Sequence, residues 1–390
     1  MQIRRTSIIS IIFLLAITTS CGERNNQPTG DTLTINVTAN FPTRELILQD
    51  FMNVEYIALD DTDEFITQGL VEAIGNEFIL VRNQINDGNI LVFDRKGSGL
   101  RVINRRGQGG EEYLRIGGIT VDEDNGEIFV QDFQRRRFLV YDLYGNFRRS
   151  FPVQEGIRPT QVFNFDDESL LVYSIVSHSE RDSNLLTFVL ISKQDGTIIQ
   201  HIDIPYEQRK QLAIVSVDSQ DISIAVIDNS PVLRYQSQWM LMEPSADTLF
   251  TFSSDRILTP LIARTPSVQS RNPETFLFPV LFTERYYFMQ TVRKVMNFTT
   301  WEGFPTTNIV YDRQQSALFE YTIYNNDFYP KRTVNLGGLE RNETAFWQIF
   351  QAYQLIDAYE NGELRGRLKE VASRLDEESN PVIMIVTHKN

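Results

Sequence analysis

The sequence has almost no cysteine or histidine. It contains one cysteine, Cys21, and three histidines, His178, His201 and His388. A single cysteine excludes an intramolecular disulfide, and no His-x-x-x-His or Glu-x-x-His spacing is present for a zinc site. A Gly-x-Ser-x-Gly elbow is also missing, so a hydrolase triad of that kind has no support. We therefore predict no metal site and no cofactor, and the sequence names no catalytic residue.

Positive charge is also in short supply. The chain carries 37 Lys and Arg against 51 Asp and Glu, for a formal net charge of −14. Because affinity for nucleic acid depends on cationic contacts to phosphate, this balance argues against a nucleic-acid partner. The glycine-rich stretch from Arg105 to Tyr113 lacks the Gly-Lys-Ser/Thr ending of a phosphate-binding loop. We interpret it as a turn between strands.

Long apolar runs are missing apart from one near the N-terminus. Arg4 and Arg5 precede the run Ile8–Ile17, which is almost purely apolar. Spanning a bilayer takes about 20 residues, so the run is too short, and it predicts a signal peptide that ends at residue 20. Cys21 follows directly after small residues, an arrangement that resembles the lipobox of bacterial lipoproteins. The resemblance implies that Cys21 is acylated and anchors the mature chain to a membrane.

The stretch after the cysteine has little to bury. Residues 21–44 are largely polar and rich in turn formers, which is typical of a flexible tether. Gly22 stands where an Asp would resemble an inner-membrane retention signal, so we expect an outer-membrane lipoprotein. Glu23 is the one acidic residue close to Cys21, a poor match to the acidic run of surface-export signals. The leaflet that the protein faces therefore stays open.

What the sequence does contain is a repeat. Asn89–Gly97 and Arg137–Gly145 each consist of an apolar strand, an Asp, two further residues and a Gly, and Val140 follows Val92 by 48 residues. Asp can cap a hairpin turn through its side chain and Gly supplies the positive φ, so each copy predicts a hairpin. A third, weaker copy is Phe188–Gly196, and later copies decay further.

The repeat length indicates the fold class. Four short strands in each 40–50 residues are typical of a β-propeller blade, and five or six such units fit the chain. A β-sandwich is the rival, but it does not require near-identical hairpins at this spacing. We predict an all-β propeller of four-stranded blades over residues 45–390.

The C-terminal part departs from the strand pattern. Apolar residues recur at helical spacing from Glu343 onwards, which predicts a helical insertion over residues 343–377. Asn380-Pro381 ends that pattern, and residues 381–387 read as a closing strand. This strand could complete a blade begun near Asn53–Leu59, which would join the ends of the ring.

These features resemble one family. The chain looks like the six-bladed β-propeller lipoproteins of Bacteroidota, which are related to the NHL-repeat propellers. The resemblance rests on the lipobox, on the paired hairpins that end in Asp94 and Asp142, on the glycine-rich loop from Gly107 to Tyr113, and on Asn380–Met384 near the end. In the loop, Gly110 stands where the family usually has Pro. The resemblance implies six blades and little about activity.

Three hypotheses for function remain open. The first is an envelope module that binds an unknown protein or glycan ligand, with Arg101, Arg105 and Arg106 as candidate ligand contacts. The second is an envelope enzyme that acts on carbohydrate or another small substrate. It would need at least two carboxylates converging in a central pocket. The third is an NHL-like platform for proteins, which would show an apolar or aromatic patch on one face.

Overall fold

The computed structural model describes residues 32–83, 87–174, 185–217, 221–338, 340–341 and 346–389. The predicted signal peptide, the predicted lipid site Cys21 and the first part of the predicted tether lie outside these ranges. Four elements precede the first blade: β1 (Leu33–Asn36), β2 (Thr43–Ile47), the short helix α1 (Leu48–Phe51) and β3 (Met52–Ala58).

The predicted all-β, six-bladed propeller is confirmed over the described residues. Blade 1 contains β4 (Leu70–Ile74), β5 (Phe78–Arg82), β6 (Asn89–Asp94) and β7 (Gly99–Asn104). Blade 2 contains β8 (Ile116–Asp122), β9 (Glu127–Asp132), β10 (Arg137–Asp142) and β11 (Phe147–Pro152). Blade 3 contains β12 (Pro159–Asn164), β13 (Ser169–Ser174), β14 (Phe188–Ser192) and β15 (Ile198–His201). In each blade the first strand is the innermost, and the inner strands β4, β8 and β12 contact one another in turn.

Blades 4–6 carry insertions. A separate hairpin comes first, β16 (Ala213–Val217) with β17 (Ile222–Val226). Blade 4 then contains β18 (Val232–Tyr235), β19 (Gln238–Leu241), β20 (Thr248–Phe252) and β21 (Leu258–Thr265). Blade 5 contains β22 (Thr275–Phe282) and β23 (Tyr286–Arg293), a small hairpin of β24 (Met296–Asn297) and β25 (Glu302–Gly303), then β26 (Thr306–Asp312), β27 (Ala317–Asn325) and β28 (Arg332–Val334). Blade 6 contains β29 (Glu340–Arg341), β30 (Phe346–Phe350), the helices α2 (Ala352–Glu360) and α3 (Gly366–Ala372), and β31 (Val382–His388).

The strands are apolar on both sides because each blade is packed between two neighbours. In β9, every residue is buried. Ile128 and Val130 pack against blade 1, whereas Phe129 packs against blade 3. Successive side chains of a strand point to opposite faces, so one strand serves two blade–blade interfaces. An isolated blade would expose both of these faces to water, whereas the closed ring covers them.

The repeated hairpins are built as the sequence predicts. Asp94 Oδ1 accepts hydrogen bonds from the backbone N–H groups of Lys96 and Ser98 at 2.8 and 2.9 Å. Asp142 does the same for Tyr144 and Asn146. These bonds lower the pKa of both carboxyl groups against the opposing effect of desolvation. The following glycines have φ of 90° and 83°, in the left-handed region that favours glycine.

The ring closes through strands from the two ends of the described chain. β31 pairs antiparallel with β3, from Met52 opposite His388 to Ala58 opposite Val382. Blade 6 thus takes three strands from the C-terminal part and its outermost strand from the N-terminal part. A shared blade of this kind holds the ring shut by backbone hydrogen bonds between its two chain ends.

The structure corrects the predicted tether. Residues 33–44 fall within it, yet β1 pairs parallel with β21 of blade 4 and β2 pairs parallel with β27 of blade 5. Ile35 is fully buried in this segment. The sequence prediction failed because an open sheet edge binds a strand mainly through the backbone, which leaves little trace in side-chain polarity.

The structure also corrects the start of the helical insertion. Phe346–Phe350 is a strand that pairs with β31, and α2 begins only at Ala352. Phe346, Trp347 and Phe350 are buried against neighbouring blades. Their spacing fits a helix equally well, so the sheet partner decides the conformation and not the local pattern.

Candidate functional site

The central channel contains a cavity of about 290 Å³ between the inner strands of blades 1–4. We call it the channel cavity, and Glu72, Glu123 and Arg234 are among the side chains that line it. Glu72 accepts hydrogen bonds from Arg82 Nε at 2.5 Å and from the backbone N–H of Ile119 at 3.2 Å. Glu123 accepts from two backbone N–H groups of blade 1, with Asn76 the closer at 2.7 Å. Both carboxylates therefore hold blade 1 to blade 2.

A buried ion pair joins the next two blades close to this cavity. Lys193 Nζ lies 2.5 Å from Asp122 Oδ2 and also donates to the carbonyl oxygen of Asp166, and the Lys193 side chain is only 2% exposed. Desolvation raises the pKa of Asp122, but hydrogen bonds from Lys193 and Asn125 outweigh it and lower that pKa. Glu72, Glu123 and the nearby Asp122 thus belong to the scaffold of the ring, whereas Asp124, which also lines the channel cavity, is exposed.

A second cavity, of about 540 Å³, lies between blades 4, 5 and 6 and the N-terminal segment. We call it the aromatic cavity, because Phe51, Tyr235, Tyr286 and His388 all line it. The rings of Tyr235 and His388 are 5.7 Å apart, and Phe51 meets Tyr286 edge-on at 5.9 Å. The residue before Tyr235 in β18 is Arg234, so alternation along one strand sends neighbouring side chains into the two different cavities.

The titratable rings of the aromatic cavity are uncharged at neutral pH. Burial raises the pKa of Tyr235, and the nearby Tyr287 and Glu284 raise it further. Burial also raises the pKa of Tyr286 and lowers that of His388 below its usual 6.5. The Tyr235 phenol and the neutral His388 imidazole combine apolar faces with hydrogen-bonding edges, whereas Tyr286 is only 7% exposed and packs against Phe51 and Arg285.

The cationic side chains of the aromatic cavity already have partners. Arg285 binds the buried carboxylate of Asp312 at 2.8 Å. The Lys389 ammonium donates to the carbonyl oxygens of Gln49 and Asp50 at 2.6 and 3.2 Å. The carboxylates of Asp50 and Glu284 also line this cavity and are exposed. The chemistry suits a polar, uncharged ligand better than an anion.

The three predicted arginines do not line one cavity. Arg101 donates to the carbonyl oxygen of Leu143 at 2.6 Å and packs over the ring of Tyr144. Arg105 donates to the carbonyl oxygen of Gly145 at 2.8 Å and lines a separate depression beside the glycine-rich loop. Arg106 follows it and lines neither this depression nor the two cavities defined above. Arg101 and Arg105 hold the blade 2 hairpin turn, and ligand contact by these residues stays a prediction.

The glycine-rich loop connects blade 1 to blade 2. Its carbonyl oxygens face two arginines of blade 2: Arg135 donates to Gly109 at 2.9 Å, and Arg137 donates to Glu112 at 2.6 Å. A phosphate cradle needs inward-facing N–H groups, whereas this loop presents carbonyl groups to cations. The arrangement agrees with a turn between strands.

Sequence reasoning missed Tyr235 and Arg234 altogether. Both lie in β18, a four-residue strand whose blade matches the repeat poorly. A charged and an aromatic residue side by side in an inner strand were the one available signal. His388 ends β31 and is half-buried. His178 lies outside the described residues.

The described ranges offer neither a spanning helix nor a metal cluster. None of their helices combines the length and apolarity required to cross a bilayer. Nor does any group of three His, Cys, Asp or Glu side chains come together there as a metal site would require.

One family model matches the whole propeller. A family model described as a domain of unknown function, DUF4934, matches residues 32–387. The chain belongs to the DUF4934 family. The match begins at the residue before β1, so the N-terminal strands are part of the DUF4934 domain. A comparison with curated proteins finds no match.

A solved structure shares the fold. A protein of Bacteroides fragilis NCTC 9343, described provisionally as exported, is 15% identical with a TM-score of 0.57, and the match covers 92% of this chain and 99% of that one. A member of the DUF4221 family from Bacteroides vulgatus is 10% identical with a TM-score of 0.47, covering 87% and 98%.

Proposed function

We propose that this protein is a cell-envelope lipoprotein whose propeller binds a saccharide in the aromatic cavity. The observation that carries the proposal is the set of neutral rings, Tyr235, Tyr286 and His388, around a cavity of about 540 Å³. Ligand pockets commonly measure about 300–1,000 Å³ and combine apolar walls with a few polar groups. Aromatic faces stack on sugar rings, while phenol and carboxylate groups bind sugar hydroxyls.

The charge distribution supports an uncharged ligand. Arg285 and Lys389 are engaged by Asp312 and by backbone carbonyl groups. The remaining charged groups at the cavity include the carboxylates of Asp50 and Glu284, which accept hydrogen bonds from hydroxyl groups and repel anions. A neutral saccharide therefore matches the cavity better than a phosphorylated or acidic compound.

The hydrogen bonds of Glu72 and Glu123 in the channel cavity support a binding function over a catalytic one. An enzyme of the kind considered above would need two acids whose oxygens face a substrate. Glu72 and Glu123 instead hold blade 1 to blade 2 through hydrogen bonds of 2.7–3.2 Å. We therefore expect glycan binding without turnover.

The binding proposal is tested with a panel of neutral and acidic oligosaccharides and isothermal titration calorimetry. Tyr235→Ala should weaken binding of the best neutral ligand by about five- to tenfold, since stacked aromatic groups contribute about 1–1.5 kcal/mol. Arg234→Gln is the matched control, because it is adjacent in β18 but faces the channel cavity. Equal losses in both variants, or binding of acidic glycans alone, would contradict the proposal.

The anchor is tested separately. The signal-like N-terminus and Cys21 support attachment through lipid, and the likeness to a protein described as exported agrees with an envelope location. Cys21→Ala should move the protein from the membrane fraction to the soluble fraction, whereas Ser20→Ala should leave it membrane-bound. Firm attachment of the Cys21→Ala chain would refute a lipid anchor without affecting the saccharide proposal.

A further inference from the structure

The hairpin β16–β17 turns its apolar face towards water. Val215, Val217, Ile222, Ile224 and Val226 are between 37% and 74% exposed. Within the described residues, the two strands pair with each other and with no third strand. Two-stranded sheets are marginal in water unless one face is covered. The five exposed branched side chains on this small sheet therefore form one unpartnered apolar surface, in contrast to apolar residues that are exposed singly.

The strand register places these side chains on one face. Val217 is opposite Ile222, Val215 is opposite Ile224, and Ala213 is opposite Val226. Ile214, Ser216, Ser223 and Ala225 alternate with them and occupy the other face, which is less exposed. Five of the six large apolar side chains thus face out, with Ile214 the exception, and both serines face in, the reverse of an ordinary surface hairpin.

The hairpin is held firmly at its base. Leu212 precedes β16, Ile227 follows β17, and both are buried against Phe276 and Phe278 of blade 5. The backbone N–H of Ile227 donates to the carbonyl oxygen of Leu212 at 2.7 Å. The exposed face therefore has a fixed position on the ring, as an interaction surface requires.

A bilayer is a poor occupant for this face. Asp221 lies at the tip of the hairpin, directly before β17, and is exposed. Both outer strand edges would carry unpaired backbone groups into lipid, where each costs several kcal/mol. The strands contain no Lys, Arg, Trp or Tyr that would place them at a lipid headgroup layer.

A second copy of the chain fits the face in shape and charge. Neither strand contains a charged residue, so two such faces can stack without burying a charge, even though the whole chain is strongly acidic. The Val215–Ile224 pair is the middle of the face, and a two-fold axis there would bring each residue near its own counterpart.

We propose that two copies of this protein associate face to face through the β16–β17 hairpins about a two-fold axis at the Val215–Ile224 pair. Two sheets of branched side chains stack at about 10 Å, as in a β-sandwich. The contact is small, so the dimer forms and dissociates with concentration. This association is independent of any ligand in the aromatic cavity.

The test is sedimentation velocity on the full mature chain with Cys21→Ala, followed over a dilution series. We expect a monomer–dimer equilibrium. Ile224→Lys should raise the dissociation constant by about a hundredfold, because each dimer loses two apolar contacts and gains two like charges. Ile198→Lys is the matched control: Ile198 is 40% exposed on the outer strand of blade 3, and its replacement should leave the equilibrium unchanged.

Mixing two variants tests the two-fold arrangement. Ile224→Lys and Ile224→Glu should each be monomeric alone, and an equimolar mixture should recover dimers, which also shows that both variants are folded. A chain that stays monomeric throughout the dilution series overturns the proposal. So does dimerisation that Ile224→Lys leaves intact, or a mixture that fails to recover dimers.

Discussion

Blades 1–3 and blades 4–6 share a four-stranded plan but differ in what surrounds it. In blades 1–3 the outer strands β7, β11 and β15 have no further strand partner among the described residues. In blades 4 and 5 a fifth strand, β1 or β2, is added along the outer edge, and blade 6 takes β3 as its fourth strand. The N-terminal segment thus runs along the edges of three successive blades.

The two halves also use their polar side chains differently. In blades 1–3, acids and cations such as Glu72, Asp122 and Lys193 bind across blade interfaces. In blades 4–6, the buried Arg264 likewise donates to the carbonyl oxygen of Thr275 in the next blade, but the aromatic cavity and the apolar hairpin also leave polar and apolar groups facing solvent. The repeat is clear where side chains hold the ring together, and it decays where the chain has room for insertions and candidate binding surfaces.

The largest expected effect lies in the repeated half. Lys193→Ala should lower the free energy of unfolding by about 3–5 kcal/mol, because it leaves the Asp122 carboxylate buried without its partner. Arg367→Ala is the control, since its ion pair with Glu370 is more than 60% exposed on both sides and should contribute less than about 1 kcal/mol. Urea denaturation measures both. If Lys193→Ala lowered the free energy of unfolding as little as Arg367→Ala, water would reach the Asp122 carboxylate and the prediction would be wrong.

The next effect tests whether the N-terminal strands support the variable half. Ile35 is fully buried in β1, so Ile35→Ala should cost about 2–5 kcal/mol of unfolding free energy. Thr34→Ala, one residue away on the exposed side of the same strand, should change stability by less than about 0.5 kcal/mol. Equal, small effects would indicate that β1 detaches in solution and that the two halves are alike at their edges.

A glycine pair compares the repeat with the helical insertion. Gly145 has φ of 83°, and an added Cβ would lie 2.6 Å from the Ile103 side chain. Gly145→Ala should cost about 2–4 kcal/mol, from backbone strain and overpacking together. Gly362 has φ of 72° with no atom within 4 Å of such a Cβ, so Gly362→Ala should cost about 1–2 kcal/mol from strain alone. Thermal unfolding measures both losses of stability. A larger loss for Gly145→Ala would show that packing between blades adds to the backbone strain, and equal losses would contradict this.

The smallest effect is a difference in pH dependence. Burial lowers the pKa of His388 in the folded state, so the unfolded chain takes up the proton first as the pH falls below about 6.5. Stability should therefore decline from pH 7 towards pH 5, and His388→Gln should remove that decline, whereas exposed His201→Gln should not. The lowered pKa values of Asp122 and Asp166 in blades 2 and 3 act only below about pH 4.

The sequence was most informative where local chemistry sufficed. The Asp94 and Asp142 turns follow from residue type, since a carboxylate accepts from turn N–H groups and Gly tolerates positive φ. The hairpins at constant spacing then predicted blades. By contrast, β1 was taken for part of a tether and β30 for a helix, because both depend on a strand edge supplied by a distant part of the chain.

The candidate site was beyond prediction for the same reason. The aromatic cavity unites Phe51, Tyr235, Tyr286 and His388, whose positions span almost the whole described chain. No local pattern relates them, and only closure of the ring through β3 and β31 brings them together.

By itself, the sequence determined the fold class, the repeated turns and the expectation of an anchor at Cys21, because each depends on residues close together in the chain. Only the tertiary structure decided which edges the N-terminal strands cover, which acids hold the blades together, and where an apolar face stays exposed. Those outcomes depend on blade–blade packing, which buries both faces of a strand and joins residues hundreds of positions apart.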